Sequence, residues 1–168
     1  MVITEEFVTR AAAWKLTKSG WEIIVVHPPG GQGPFTIPKP PQSKAIERGS
    51  YHPDIVAIKK EKDEVKILLV ECKVNKTELG EDIKKFEELA NNPNSLYFIC
   101  FRCQKFEGGP KLGVDYDALC KKNISELPIE FAFAYRQNTG ILEIPVKINH
   151  FRCTELSFSD KELLNKLN

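Results

Sequence analysis

Two apolar runs separated by six charged residues do most to fix what this 168-residue chain can fold into. The first is Asp54-Ile55-Val56-Ala57-Ile58. The second is Val65 to Lys73, with Ile67-Leu68-Leu69-Val70 at its centre. The segment between them, Lys59-Lys60-Glu61-Lys62-Asp63-Glu64, is too polar to bury, so the pattern predicts two β-strands joined by a solvated turn. Antiparallel pairing sets the start of the first strand beside the end of the second, and Asp54 then approaches Glu71 and Lys73. Side chains alternate along a strand, so Glu71 and Lys73 share one face while Cys72 points to the other. Two carboxylates and an ammonium converge beside an apolar sheet. Such a cluster suits a hard divalent cation and a directed water molecule. A merely solvated hairpin leaves unexplained why Glu71 and Lys73 continue a run that belongs in a core.

Length and composition bound the rest. The chain fits one domain, 1–168, with 42% hydrophobic and 28% charged residues. No apolar stretch approaches a membrane span, and Met1-Val2-Ile3-Thr4-Glu5-Glu6 has no signal-peptide core, so a cytoplasmic protein with no membrane partner is expected. Five cysteines (72, 100, 103, 120 and 153) form no repeating framework, and disulfides are not expected. A net charge of +1 weighs against a nucleic-acid partner without excluding one, because the distribution of charge matters more than its sum.

Residues 4 to 19 read as a helix, with Thr4 as N-cap, Glu5 and Glu6 in the first turn and Gly20 as terminator. Residues 21 to 27 read as a strand. The Pro/Gly-rich segment 28–50 reads as a long loop running into the Pro53-Asp54 corner, too rich in those residues for regular structure. Lys39, Lys44, Arg48, Ser50, Tyr51 and His52 supply donors and stacking surface of the kind that contacts phosphates. A plain surface excursion or a protein-recognition element is the alternative for this loop. A helix over 77–91 carries the stripe Leu79, Ile83, Phe86 and Leu89. Lys76 precedes it as a phosphate contact, whereas Lys84 and Lys85 read as its wet face. Residues 95 to 102 read as a strand parallel to the Glu71 strand, and 115 to 122 as a short helix. Residues 131–135 and 141–148 flank a hairpin turn at 137–140, and 159–167 is a terminal helix capped by Ser159 or Asp160.

Two other groupings compete for attention. Cys100 and Cys103 have the spacing of a metal pair, but on a strand they face opposite sides. Cys72, Cys100 and Cys120 read instead as small core residues. His27, His52 and His150 are far apart in the chain, and only His52 adjoins the Pro53-Asp54 corner.

Pro53-Asp54, a hairpin, and then Glu71-Cys72-Lys73 resemble the PD-(D/E)XK nuclease superfamily, which includes restriction endonucleases, Holliday junction resolvases and repair nucleases. The resemblance implies an α/β, restriction-endonuclease-like core: a mixed central β-sheet flanked by helices. It implies a single nuclease domain that hydrolyses DNA phosphodiesters with Mg²⁺, or with Mn²⁺ in its place. Asp54 and Glu71 would hold the ion with the backbone carbonyl of Cys72, and Lys73 would orient or help deprotonate the attacking water. In such nucleases a glutamate of the first helix reaches the active site. Glu5, on the column of Val8, Ala12 and Leu16, is the first choice, and Glu6, one position round, is the second. Simple helix-dipole stabilisation is the alternative for both. The implied partners are DNA and a second copy or a partner subunit. Restriction, resolvase and repair roles stay open. So do an inactive DNA- or protein-binding subunit of the same fold and an unrelated α/β binding protein.

Overall fold

In a computed structural model, residues 2–27, 35–41, 43–46, 50–61, 64–105 and 116–165 are described. The chain opens with helix α1 (Glu5–Lys18), turns at Gly20 with φ of 93°, and continues as strand β1 (Glu22–Val26). Strands β2 (Ile37–Pro38) and β3 (Ser50–Tyr51) form a short ladder. Strands β4 (Ile55–Glu61) and β5 (Glu64–Asn75) pair antiparallel, with Ile55 opposite Val70 and Ala57 opposite Leu68. A 3-10 turn (Lys76–Leu79) leads into helices α2 (Gly80–Ala90), α3 (Pro93–Lys105) and α4 (Tyr116–Cys120). Strands β6 (Ile129–Arg136), β7 (Lys147–Ile148) and β8 (Phe151–Phe158) and helix α5 (Asp160–Leu164) follow.

The main sheet is mixed and six-stranded, in the order β1-β4-β5-β6-β8-β7. Strand β4 runs antiparallel to both β1 and β5, β6 and β8 continue parallel to β5, and β7 returns antiparallel to β8. Helices cover both faces. Val8, Ala11, Ala12 and Leu16 of α1 pack on Ile55, Ala57, Leu68, Val70, Ala132 and Ala134, and Leu163 of α5 joins them. Alternation sends Val56, Ile58, Ile67, Leu69, Phe131 and Phe133 to the other face, against α2, α3, α4 and the β2–β3 ladder.

Three expectations from the sequence are overturned. Residues 95 to 102 are not a strand but the middle of α3. The β-branched and aromatic content of Leu-Tyr-Phe-Ile-Cys-Phe masks a helical phase: Leu96, Ile99, Cys100 and Cys103 are buried at steps of three and four. The start signal is also present, because Pro93 opens the helix and the Asn92 side chain accepts from Ser95 N at 3.2 Å. Strand β6 takes the place parallel to β5. Second, residues 137–140 turn the chain, with positive φ at Asn138 and Gly140, but no strand returns beside β6. The hairpin lies further on, between β7 and β8, with Asn149 at φ 56° in its turn. Third, the 28–50 segment is not without regular structure. It contributes β2 and the first residue of β3, and Phe35, Ile37 and Ile46 are buried in the core.

Candidate active site

Continuing the β4–β5 register by one step sets Asp54 opposite Glu71. Directly opposed side chains share a face, so both carboxylates enter the layer under α2. They are close enough for each to shift the other's acidity. Asp54 Oδ2 accepts from the backbone N–H of Cys72 at 2.7 Å. Glu71 accepts from the Tyr51 hydroxyl. The Cys72 side chain belongs to the opposite, α1-side cluster, where burial pushes its thiol well up.

Both carboxylates are buried, and their acidities record it. Burial pushes Asp54 up to about 6, against the opposing pull of the Cys72 N–H. Burial and the neighbouring charges of Asp54 and Asp82 push Glu71 well above the ordinary carboxylate range. Tyr51 is raised by burial and by Glu71, and therefore remains a donor. For Lys73, burial alone would lower the ammonium. The surrounding charges of Asp82, Glu5, Glu71 and Asp54 outweigh it, and the net shift is upward. Lys73 in this setting is a cation that orients and neutralises.

The Pro53-Asp54 corner is held from β1. His27 N donates to Asp54 O at 2.8 Å. The His27 ring sits between Pro53 O, 2.5 Å from Nδ1, and Phe35 N, which donates to Nε2 at 3.4 Å. That pairing assigns the proton to Nδ1, and burial lowers the pKa, which keeps the ring neutral. His52 meets His27 edge to face, with centroids 5.3 Å apart, and its Nε2 lies 2.9 Å from Thr36 Oγ1. The two histidines that look far apart in the chain thus form one support for the corner.

Lys73 is flanked by acids from two helices. Glu5 Oε2 lies 3.6 Å from its Nζ, whereas Glu6 points away and pairs with Arg10 on the surface. The second acid, Asp82 of α2, lies 4.0 Å away and is 2% exposed. Sequence reasoning passed over it. Its signal is phase: Asp82 stands three residues after Leu79 and four before Phe86, inside the apolar stripe of that helix.

The phosphate-contact candidates scatter. Arg48 lies outside the described residues. Lys44 is exposed and Lys39 half-exposed, at a groove edge where Glu88 of α2 accepts from Ser43 Oγ and from the backbone of Lys44 and Ala45. Ser50 pairs with Pro38 across the β2–β3 ladder. Tyr51 is buried against Glu71, which removes it as a stacking surface. Lys76 pairs with Glu155 at 3.4 Å and lies over the Tyr135 ring. Lys84 faces water beside Glu81, but Lys85 turns back to Asp82 at 3.6 Å. Cys100 and Cys103, being helical, share a face after all, and burial in the core raises both thiols. Cys120 is exposed rather than a core residue.

Among the described residues no three His, Cys, Asp or Glu side chains gather closely enough to hold an ion by themselves. The oxygen-only pair Asp54 and Glu71 suits Mg²⁺, which keeps several waters and binds through one or two carboxylates. A cation in this dry layer would favour the ionised form of both carboxylates. No family model, curated protein or solved structure matches this chain. No helix among the described residues is long and apolar enough to cross a membrane.

Proposed function

We propose that this chain is a Mg²⁺-dependent DNA endonuclease with a restriction-endonuclease-like core. One observation carries the reading: Asp54 and Glu71 are buried opposite one another on adjacent strands, with Lys73 one step further along the same face. The order of α1, β1, β4, β5, α2 and a strand parallel to β5 supports it. Asp54 and Glu71 would hold the ion, with the backbone carbonyl of Cys72. When bound, Mg²⁺ supplies a Lewis acid for the phosphate and lowers the pKa of water. Lys73 offsets charge that develops on the scissile phosphate and orients the nucleophile. Glu5 fixes the Lys73 ammonium from the α1 side. His27 holds the Pro53-Asp54 backbone, and Tyr51 donates to Glu71.

A plasmid-nicking assay tests this. Cleavage is expected with Mg²⁺ or Mn²⁺, not with Ca²⁺, and should vanish in Asp54→Ala. Lys73→Ala should lose at least about 100-fold in rate while DNA binding persists, because the lysine acts on the transition state. Full cleavage by Lys73→Ala protein, on linear, supercoiled and branched DNA, removes the mechanism.

A further inference from the structure

Asp82 is 2% exposed on the first turn of α2, and among the described residues its Oδ2 has no hydrogen-bond partner. Location near a helix N-terminus does not account for it. Glu81 sits on the same turn, takes the same electrostatic benefit, and remains in water. Burying a carboxylate without a donor is far more costly than that benefit repays. Lys85 engages the other oxygen, Oδ1, at 3.6 Å. Oδ2 faces Lys73 across 4.0 Å, too far for a hydrogen bond, and Asp82 is close enough to Glu71 to raise its pKa. An acceptor without a donor therefore faces Lys73, which lies one step along β5 from Glu71.

We propose that Asp82 is an outer-sphere acceptor for the hydrated cation that Asp54 and Glu71 hold, and a positioning residue for Lys73. This rests on the metal site proposed above. The chemistry matches on both sides. An ion that keeps its waters presents strong O–H donors, and those donors need acceptors beyond the carboxylates that touch the ion. Asp82 supplies one from α2, while Glu5 holds Lys73 from α1.

Calorimetric titration of Mn²⁺ into the full chain tests the proposal, with wild type, Asp82→Asn and Asp54→Asn compared. Asp82→Asn should bind Mn²⁺ roughly 10–100-fold more weakly, the usual cost of losing such a partner. Asp54→Asn should lose binding altogether. Thermal melting separates this from a structural role. Asp82→Asn also gives up the ion pairs with Lys85 and Lys73, so each protein is referred to its own metal-free melting temperature, and the increase produced by Mn²⁺ should shrink. Binding by Asp82→Asn within about two-fold of wild type, with Asp54→Asn defective, overturns the role of Asp82 and leaves the metal site standing. A lowered metal-free melting temperature with unchanged Mn²⁺ affinity also overturns it, in favour of packing. No Mn²⁺ binding by the wild type defeats the site itself.

Discussion

The two faces of the sheet are built from different materials, and β6 displays the contrast within five residues. In Phe131-Ala132-Phe133-Ala134-Tyr135 the aromatic rings face α2 and α3, and the alanines face α1. On the alanine face the covering helix is small too, through Ala11 and Ala12, so helix and sheet can approach closely. On the aromatic face Phe86 fills the layer, its ring 4.7 Å from Phe131 and 5.1 Å from Phe133. Each face delivers one acid to Lys73: Glu5 from the alanine side and Asp82 from the aromatic side. The candidate site is therefore a product of two packing regimes, and a change on either face should register at a different acid.

The largest effect should come from emptying the aromatic face. Phe86→Ala should cost about 3–5 kcal/mol in urea unfolding, because the ring is fully buried and its neighbours cannot collapse into the space. A loss under about 1 kcal/mol would mean that the aromatic layer is loosely packed and the contrast between faces is false.

Next comes the acid pair on the aromatic face. Asp54 holds its proton more tightly folded, at about 6, than unfolded, at 3.8. The folded state binds the extra proton between those values, so the contribution is complete below the lower one and is lost as pH rises through the upper. The difference corresponds to about 3 kcal/mol. Metal-free protein should thus be less stable at about pH 8 than this group would allow at about pH 5. Millimolar Mg²⁺ should recover the loss at the higher pH. Chemical denaturation with and without the ion checks both points, and no recovery by Mg²⁺ would count against the metal site.

Overfilling the alanine face should cost less. Ala12→Leu should destabilise by about 1–3 kcal/mol and lift α1 from the sheet. Glu5 would move with it, so cleavage should fall further than stability alone explains. The smallest effect is expected at the surface. Glu6→Gln removes only an exposed ion pair with Arg10 and should change stability by less than about 0.5 kcal/mol.

Much of this was legible because it is local. The β4–β5 hairpin follows from alternation and a charged turn, and it alone brings Asp54 to Glu71. The phase of α1 singled out Glu5 over Glu6 for the same reason: both choices depend on spacing within one element. What the reading missed depends on context. Leu96 to Phe101 is rich in strand formers, and tertiary burial at helical spacing overrode that preference. His27 and His52 meet only because β1 pairs with β4. Tyr51 looked like a surface ring and became a donor to Glu71 once the β2–β3 ladder folded onto the core. Asp82 was readable, as an acid inside an apolar stripe, but a search for motifs looks at strands and not at the helix that covers them.

The hairpin also dictates a sequence of events. Asp54 and Glu71 meet across a short stretch of chain, so their pairing needs little loop closure and can form early. Their repulsion is weak while the hairpin is wet. It becomes severe only when α2 and Tyr51 close over Glu71, which requires the remainder of the chain. We expect the electrostatic burden of the site to fall on a late stage of folding. Neutralising a carboxylate should then act on the lifetime of the native state more than on the speed of reaching it. In metal-free protein, Asp54→Asn should slow unfolding with little change in the folding limb of a chevron plot. If the proposed cation binds here, the protein is kinetically most vulnerable before it arrives and most durable once it is held.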